Sequence, residues 1–484
     1  MIQDSTYKRL LKLPLPDKAK ITNKLSVGLV VPPSNYALPK GWEWTHTAPF
    51  EGPSIIASLV KGLGYRFKLL DQRDNPSVRD LKGKTTKFDI VGIATYEDNF
   101  PYIKKATELI RKENKKSIIV LGGPLVTSCA KVMMENTKAD FAVVGEGELT
   151  FTELLDYISK NNYAKKLEDI DGLAWKDEKG IFHMNKTRTQ MEQLDAVPFQ
   201  DFSVWDRFKG KTIPEVYLSY SRGCIGNCAF CYRPMPLLRY KSIKRVTKEI
   251  RFLKKYKFKM AWWNDLTFPT DKKYVRKLIN AVFKIHRFRW NCFSRVTTVD
   301  LPLLRHMKKN GCDIILYGFE SISQSILNSY RKGITKDAIL NAIALTRKAG
   351  IKCGGLFIVG APEETKESIE NVIAFTREFK EATRAKYLSL LPGTPLYVQA
   401  MKDGIIKDEV KHLNWLAREQ SIEEDIEDPG FVFVAKHITK KQLRYAYHEV
   451  NKIVEERPYD YTNEKNVFLD TPIKLTRFFP RNKN

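Results

Sequence analysis

Three cysteines stand within eight residues, in Cys224-Ile-Gly-Asn-Cys228-Ala-Phe-Cys231. Thiolates are soft donors, and three on one tight loop can hold three irons of a [4Fe–4S] cube or contribute to a zinc site. A closed structural zinc site wants four ligands. No histidine lies within the loop, and the next cysteine, Cys292, comes 61 residues after Cys231. The missing fourth donor leaves one iron open to an outside ligand. A zinc knot completed by a distant residue is the competing reading. Seven cysteines in 484 residues are too few for a disulfide scaffold, and three of them crowded together in a reducing compartment point to metal.

Other residues with chemical potential sit where strand-like segments end. Glu320 closes Tyr317-Gly-Phe-Glu320, and a carboxylate there can accept two hydroxyl bonds; a solvated or salt-bridged loop residue is the alternative. Arg295 ends Trp290–Arg295, where a guanidinium can pair with a bound carboxylate or with a structural one. Glycines follow strands at Gly122-Gly123-Pro124 and at Gly145-Glu146-Gly147, and Thr95 ends another. Backbone without Cβ atoms lets a large flat ligand come close, although glycine after a strand is common in any doubly wound sheet.

These residues need elements to position them. Leu25–Val31, Arg66–Leu70, Phe88–Ala94, Ser117–Leu121 and Phe141–Val144 read as short buried strands. Helical patterns at Ser54–Leu63, stopped by Gly64, at Tyr102–Arg111 and through Leu155 separate them. Five strands in this order suit an α/β, flavodoxin-like doubly wound domain over residues 1–160. Residues 161–213 read as a connector with a hairpin around Gly172–Trp175 and Gly180–His183. Alternation resumes at Val216 and gives about six βα units over 214–400. That is too few for a closed eight-unit barrel and suits an open, partial (β/α)6 one. Thr335 reads as the N-cap of a helix running to Ala349. Residues 401–484 read as a small, mostly helical C-terminal region.

The cysteine spacing and the strand ends over about 214–400 resemble the radical S-adenosylmethionine (SAM) superfamily. The resemblance implies that Cys224, Cys228 and Cys231 ligate a [4Fe–4S] cluster whose open iron is chelated by SAM. One electron then cleaves the sulfonium to a 5′-deoxyadenosyl radical. It further implies SAM contacts from Phe230 and Tyr232 near the adenine, Arg295 to the carboxylate and Glu320 to the ribose. Ile358 and Gly360 match the adenine-binding G-x-I-x-G-x-x-E, whose first glycine is here Leu356. Asn264 occupies the strand end that meets the methionyl amine, without the usual paired glycines.

A flavodoxin-like domain ahead of such a core resembles the cobalamin-binding class. The resemblance implies cobalamin contacts from Pro33, Ser34, Thr95, Gly122, Gly123, Pro124, Gly145, Glu146 and Gly147. The histidine motif that ligates cobalt from below is absent: His46 lies in Glu43-Trp-Thr-His46, and Leu125 follows Gly123-Pro124. A missing lower donor favours low-coordinate Co(I), a nucleophile suited to carrying methyl. Methylthiotransferases of the superfamily carry three more cluster cysteines in this domain, where the chain has Cys129 alone. The expected function is cobalamin-dependent methyl transfer from SAM to an unactivated carbon; cyclisation, rearrangement or oxidation without methyl transfer is the alternative.

Composition bounds the rest. Hydrophobic residues at 43% and charged ones at 29% describe a globular chain and not a disordered one. No apolar run approaches the roughly 18–20 residues that span a bilayer, and the charged, Pro-broken start lacks a secretory h-region, so a cytoplasmic protein is expected. With 82 Lys and Arg against 56 Asp and Glu, net +26, nucleic acid or an anionic membrane surface could attract the chain. The lysines run along the whole sequence, which a lysine-rich proteome would also produce. A small-molecule or lipid-like substrate and a flavodoxin or ferredoxin as electron donor are the expected partners.

Overall fold

The computed structural model describes residues 5–33, 48–75, 77–160, 166–232, 236–419 and 426–456. Ser34 and His46 lie outside them.

The first sheet contains β1 (Ser26–Val31), β2 (Arg66–Asp71), β3 (Ile90–Ala94), β4 (Ile118–Gly122), β5 (Phe141–Val143), β6 (Leu173–Lys176) and β7 (Phe182–Met184) in the order 2-1-3-4-5-6-7. Strands β1 to β5 are parallel, and their order 2-1-3-4-5 is that of the flavodoxin-like fold. All six residues of β1 are buried, because helices cover both faces of a parallel sheet. The Glu51–Gly62 helix starts three residues before the expected Ser54. Gly64, at φ +85°, ends it as expected: its N–H donates to the Lys61 carbonyl and the Tyr65 N–H to that of Val60.

The hairpin assigned to the connector is part of this sheet, since β6 pairs antiparallel with β5 and β7 with β6. Beyond the hairpin, the described part of the connector contributes packed side chains. Phe202, Trp205 and Ile213 are fully buried, and the Trp205 indole donates to the Ser54 hydroxyl at 2.9 Å.

The second sheet contains β8 (Glu215–Leu218) and, after the two-residue strands β9 (Ser221–Arg222) and β10 (Arg239–Tyr240), β11 (Met260–Trp263), β12 (Arg289–Ser294), β13 (Cys312–Glu320), β14 (Lys352–Val359) and β15 (Ala382–Tyr387). The six long strands are parallel neighbours in the order 8-11-12-13-14-15, an open partial barrel with edges at β8 and β15. Helices return the chain between successive strands from β11 onward. Thr335 caps one of them by accepting from the Ala338 N–H. The last described helix, Lys440–Glu455, covers the β15 edge. The Asn451 amide both accepts from the Ala385 N–H (3.0 Å) and donates to its carbonyl (3.2 Å), standing in for a neighbouring strand. Tyr447 stacks on Tyr387.

Candidate active site

The cysteine loop follows β9, just beyond the β8 edge strand of the second sheet, and the separate two-stranded β9–β10 ladder ties its two ends together. Gly223, at φ +91°, admits the turn: a Cβ there would lie 2.2 Å from the Leu237 carbonyl oxygen. Below it, one Asp265 carboxylate oxygen accepts from the N–H groups of Tyr220 (3.1 Å) and Ser221 (2.7 Å) and from the Ser221 hydroxyl (2.5 Å). Burial pushes this carboxyl up to about 7, and its other oxygen has no hydrogen-bond partner. From the far side, Ala229 donates to the Tyr330 carbonyl at 2.8 Å, and Phe230 meets the Tyr330 ring edge-on at 4.9 Å.

The three thiols face one another closely enough that burial, then Cys228 and Cys224, push the Cys231 thiol up to about 11. The Gly226 N–H points at the Cys224 sulfur (3.3 Å) and the Arg295 guanidinium at that of Cys228 (3.6 Å). Cys292, Cys312, Cys353 and Cys129 are buried elsewhere. Among the described residues, no three His, Cys, Asp or Glu side chains close on a point as around a single metal ion. Three thiols, donors aimed at sulfur and no fourth ligand among the described residues fit a cluster with one open iron.

Strand ends gather above the loop. Glu320 is a non-glycine residue at φ +61°, a conformation that concentrates at functional sites. Its carboxylate takes the Lys332 ammonium at 2.8 Å, with both side chains nearly buried. The Lys332 carbonyl accepts from Arg295, and its ammonium lies 5.8 Å from the Phe230 ring centroid. Ile358 shares a small apolar cluster with Phe230, and the Gly360 N–H donates to Glu364. Lys332 was missed in the sequence, because nothing twelve residues beyond a glutamate marks a partner for it.

A cavity of about 960 Å³ separates the two sheets. From the first sheet come the turns after β3, β4 and β5, including Gly122, Gly123, Pro124, Gly145, Glu146 and Gly147. From the second come Gly223, Tyr232, Asn264 and an apolar wall of Trp262, Phe293, Leu316 and Leu356. A Cβ added at Gly122 or Gly145 would meet nothing within 4 Å, so both present bare backbone to open space. Among the described residues, no histidine lines the cavity. A volume at the upper end for ligand pockets, glycine turns and no imidazole fit a corrin held without a protein donor.

Two expected contacts do not face this space. Thr95 is fully buried, its hydroxyl accepting from the Val126 N–H, and Pro33 is buried away from the lining. Glu146 lines the cavity, but its carboxylate is already committed to Arg222 (2.9 Å), Arg239 (2.8 Å) and the Met191 N–H (2.8 Å). Despite burial, the two guanidiniums hold it below the usual carboxylate range. Arg222 also binds Glu148 at 2.6 Å, so the residue two before Cys224 clasps the turn after β5.

Family models agree with this division. The B12-binding domain matches residues 51–155, and the radical SAM superfamily matches residues 218–376. The uncharacterized methyltransferase PH0819 of Pyrococcus horikoshii is 30% identical over 87% of this chain and 92% of its own. The bacteriochlorophyllide d C-8(2)-methyltransferase of Chlorobaculum tepidum is 26% identical over 66% of this chain and 70% of its own. The radical SAM methyltransferase TsrM of Kitasatospora setae, solved with cobalamin and a [4Fe–4S] cluster, superimposes with a TM-score of 0.65 at 17% identity, covering 79% of each chain. The two family models assign this chain a [4Fe–4S] cluster, SAM and cobalamin as cofactors. With three thiols on an open loop, glycine turns across a shared cavity and a relative matching along nearly its whole length, the chain belongs to the cobalamin-dependent radical SAM enzymes.

Proposed function

We propose that the chain is a cobalamin-dependent radical SAM methyltransferase that adds a methyl group from SAM to an unactivated carbon of an apolar or lipid-like small molecule. The observation that supports it is the single cavity walled by the glycine turns of one sheet and the strand ends and cysteine-loop flanks of the other. When bound, the reduced cluster supplies the electron that cleaves SAM, and cobalamin supplies a methyl carrier. Cys224, Cys228 and Cys231 hold the cluster. Phe230, Tyr232, Asn264, Arg295, Glu320, Ile358 and Gly360 bind and orient SAM. Gly122, Gly123, Pro124, Gly145 and Gly147 let the corrin rest on backbone, and Glu146 holds its turn in place. Trp262, Phe293, Leu316 and Leu356 exclude water and receive the apolar substrate, so that proximity replaces random encounter. Residues 1–160 with the following hairpin form the cobalamin-binding unit, and 214–400 the radical SAM unit. A flavodoxin or ferredoxin supplies the electron.

The test is anaerobic reconstitution with iron, sulfide and cobalamin, then incubation with methyl-labelled SAM and a small-molecule extract. The expected result is 5′-deoxyadenosine together with label in a new product. Deoxyadenosine with an unlabelled product would move the assignment to cyclisation or oxidation. A reconstituted enzyme releasing neither would sink it.

A further inference from the structure

The positive charge of the chain is concentrated in one place. Residues 241–310 hold 20 Lys and Arg against 4 Asp and Glu, a net +16 out of +26 in about one-seventh of the length. Lysines do run through the whole sequence; what sets this stretch apart is its shortage of carboxylates. It builds three neighbouring helices, Ile243–Leu253, Lys272–Phe283 and Leu301–Lys309, with the turns that follow them. Fourteen of its cations are exposed, against one exposed carboxylate, Asp271. Glu249 and Asp265 are buried, and Asp300 is engaged by Lys272 and Arg276.

Two ordinary explanations fall short. Cations in the last turn of a helix complement its dipole, which accounts for Arg251, Lys308 and Lys309. Lys244 and Lys273 sit in first turns, where the dipole disfavours them and where neither helix has an acidic residue. A lysine-rich proteome would charge the chain evenly, yet the other 414 residues carry a net +10.

We propose that this three-helix face docks on an anionic membrane surface through lipid headgroups. Eleven of the fourteen exposed cations are lysines and three are arginines. The compact ammonium suits a diffuse layer of headgroup charge, whereas nucleic-acid recognition favours the arginine fork. The large exposed apolar side chains of this stretch are Leu266 and Phe293, and both line the cavity. The rings on the face itself, Phe252, Tyr256 and Tyr274, are only part-exposed, and the Lys255 ammonium covers the first two at 3.9 and 5.2 Å, which leaves little aromatic surface on which unpaired bases could stack. None of the fourteen cations lines the cavity, so docking leaves it free. Among the described residues no helix is long and apolar enough to cross a membrane, and the attachment is peripheral. The proposal rests on the placement of charge and stands or falls separately from methyl transfer.

The experiment is co-sedimentation of the full chain with phosphatidylcholine vesicles, with and without about one-third phosphatidylserine, at low and at physiological salt, beside a single-stranded RNA competitor. Binding should require the anionic lipid, fall at least tenfold between the two salt levels, and be lost in K248E/K254E/K273E/K277E. A control variant, K104E/K105E/K112E, on the exposed face of the Phe100–Glu113 helix, should bind as the parent does. Circular dichroism verifies that both variants fold, and K248Q/K254Q/K273Q/K277Q replaces the reversal if it does not. Equal binding to neutral vesicles, undiminished binding by the folded variant, or RNA binding with no vesicle binding would each overturn the proposal.

Discussion

Glu320 and Lys332 form an ion pair with little access to water, and each is stable there because of the other. Lys332→Ala would leave a buried carboxylate alone, at a cost of about 3–5 kcal/mol, whereas Glu320→Gln with Lys332→Met should come back close to the parent in urea unfolding. If the single change costs under about 1 kcal/mol, the pair is more solvated than its burial indicates. Asp265 predicts a pH dependence. Its carboxyl has a folded value of about 7 against an ordinary 3.8. Below about pH 4 it is protonated whether the chain is folded or not. Between about 4 and about 7 the unfolded chain gives up the proton and the folded chain keeps it, so stability falls as pH rises. Asp265→Asn should remove that fall and gain a few kcal/mol on the parent across the interval. Parallel stability profiles from urea unfolding over this range would rule it out. The cysteines were legible because three soft donors in eight residues have few other uses. Lys332 and Arg222 were not, because an ion pair spanning 12 or 76 residues leaves no local pattern.

Elements were legible where periodicity and caps agree. Gly64 and Thr335 end and begin helices as their chemistry requires. The connector was misread because its hairpin finds its partner in β5, a tertiary choice that short strands do not reveal. The glycine turn after β4 separates structural need from ligand need. Gly123 holds φ +123° and a Cβ there would lie 2.6 Å from the Thr95 carbonyl oxygen, so Gly123→Ala should destabilise the first domain. At Gly122 a Cβ meets open cavity. Gly122→Ala should therefore leave thermal unfolding of the cofactor-free chain within about 2 °C of the parent while weakening cobalamin binding at least tenfold in a spectroscopic titration. Unchanged cobalamin affinity would show that the corrin does not rest on this turn.

At the scale of the whole molecule, two sheets wall one cavity, and a ligand there touches both. Cobalamin at 100 times its dissociation constant should stabilise the cofactor-free chain by about 2.7 kcal/mol, and the gain should appear as one shared rise in melting temperature. A rise confined to an early, separate transition would show that only the first domain responds. A count of lysines along the chain misses the charge on the three outer helices, because it does not show where carboxylates are lacking. The Arg222 clasp has a consequence for how such a chain can change. One side chain braces the approach to the three cysteines and also grips a turn that lines the cavity. With Arg239 holding Glu146 from the other end of the loop, a shift at either station is felt at the other, so a foreign first domain grafted onto this core should dock poorly unless the receiving carboxylates came with it.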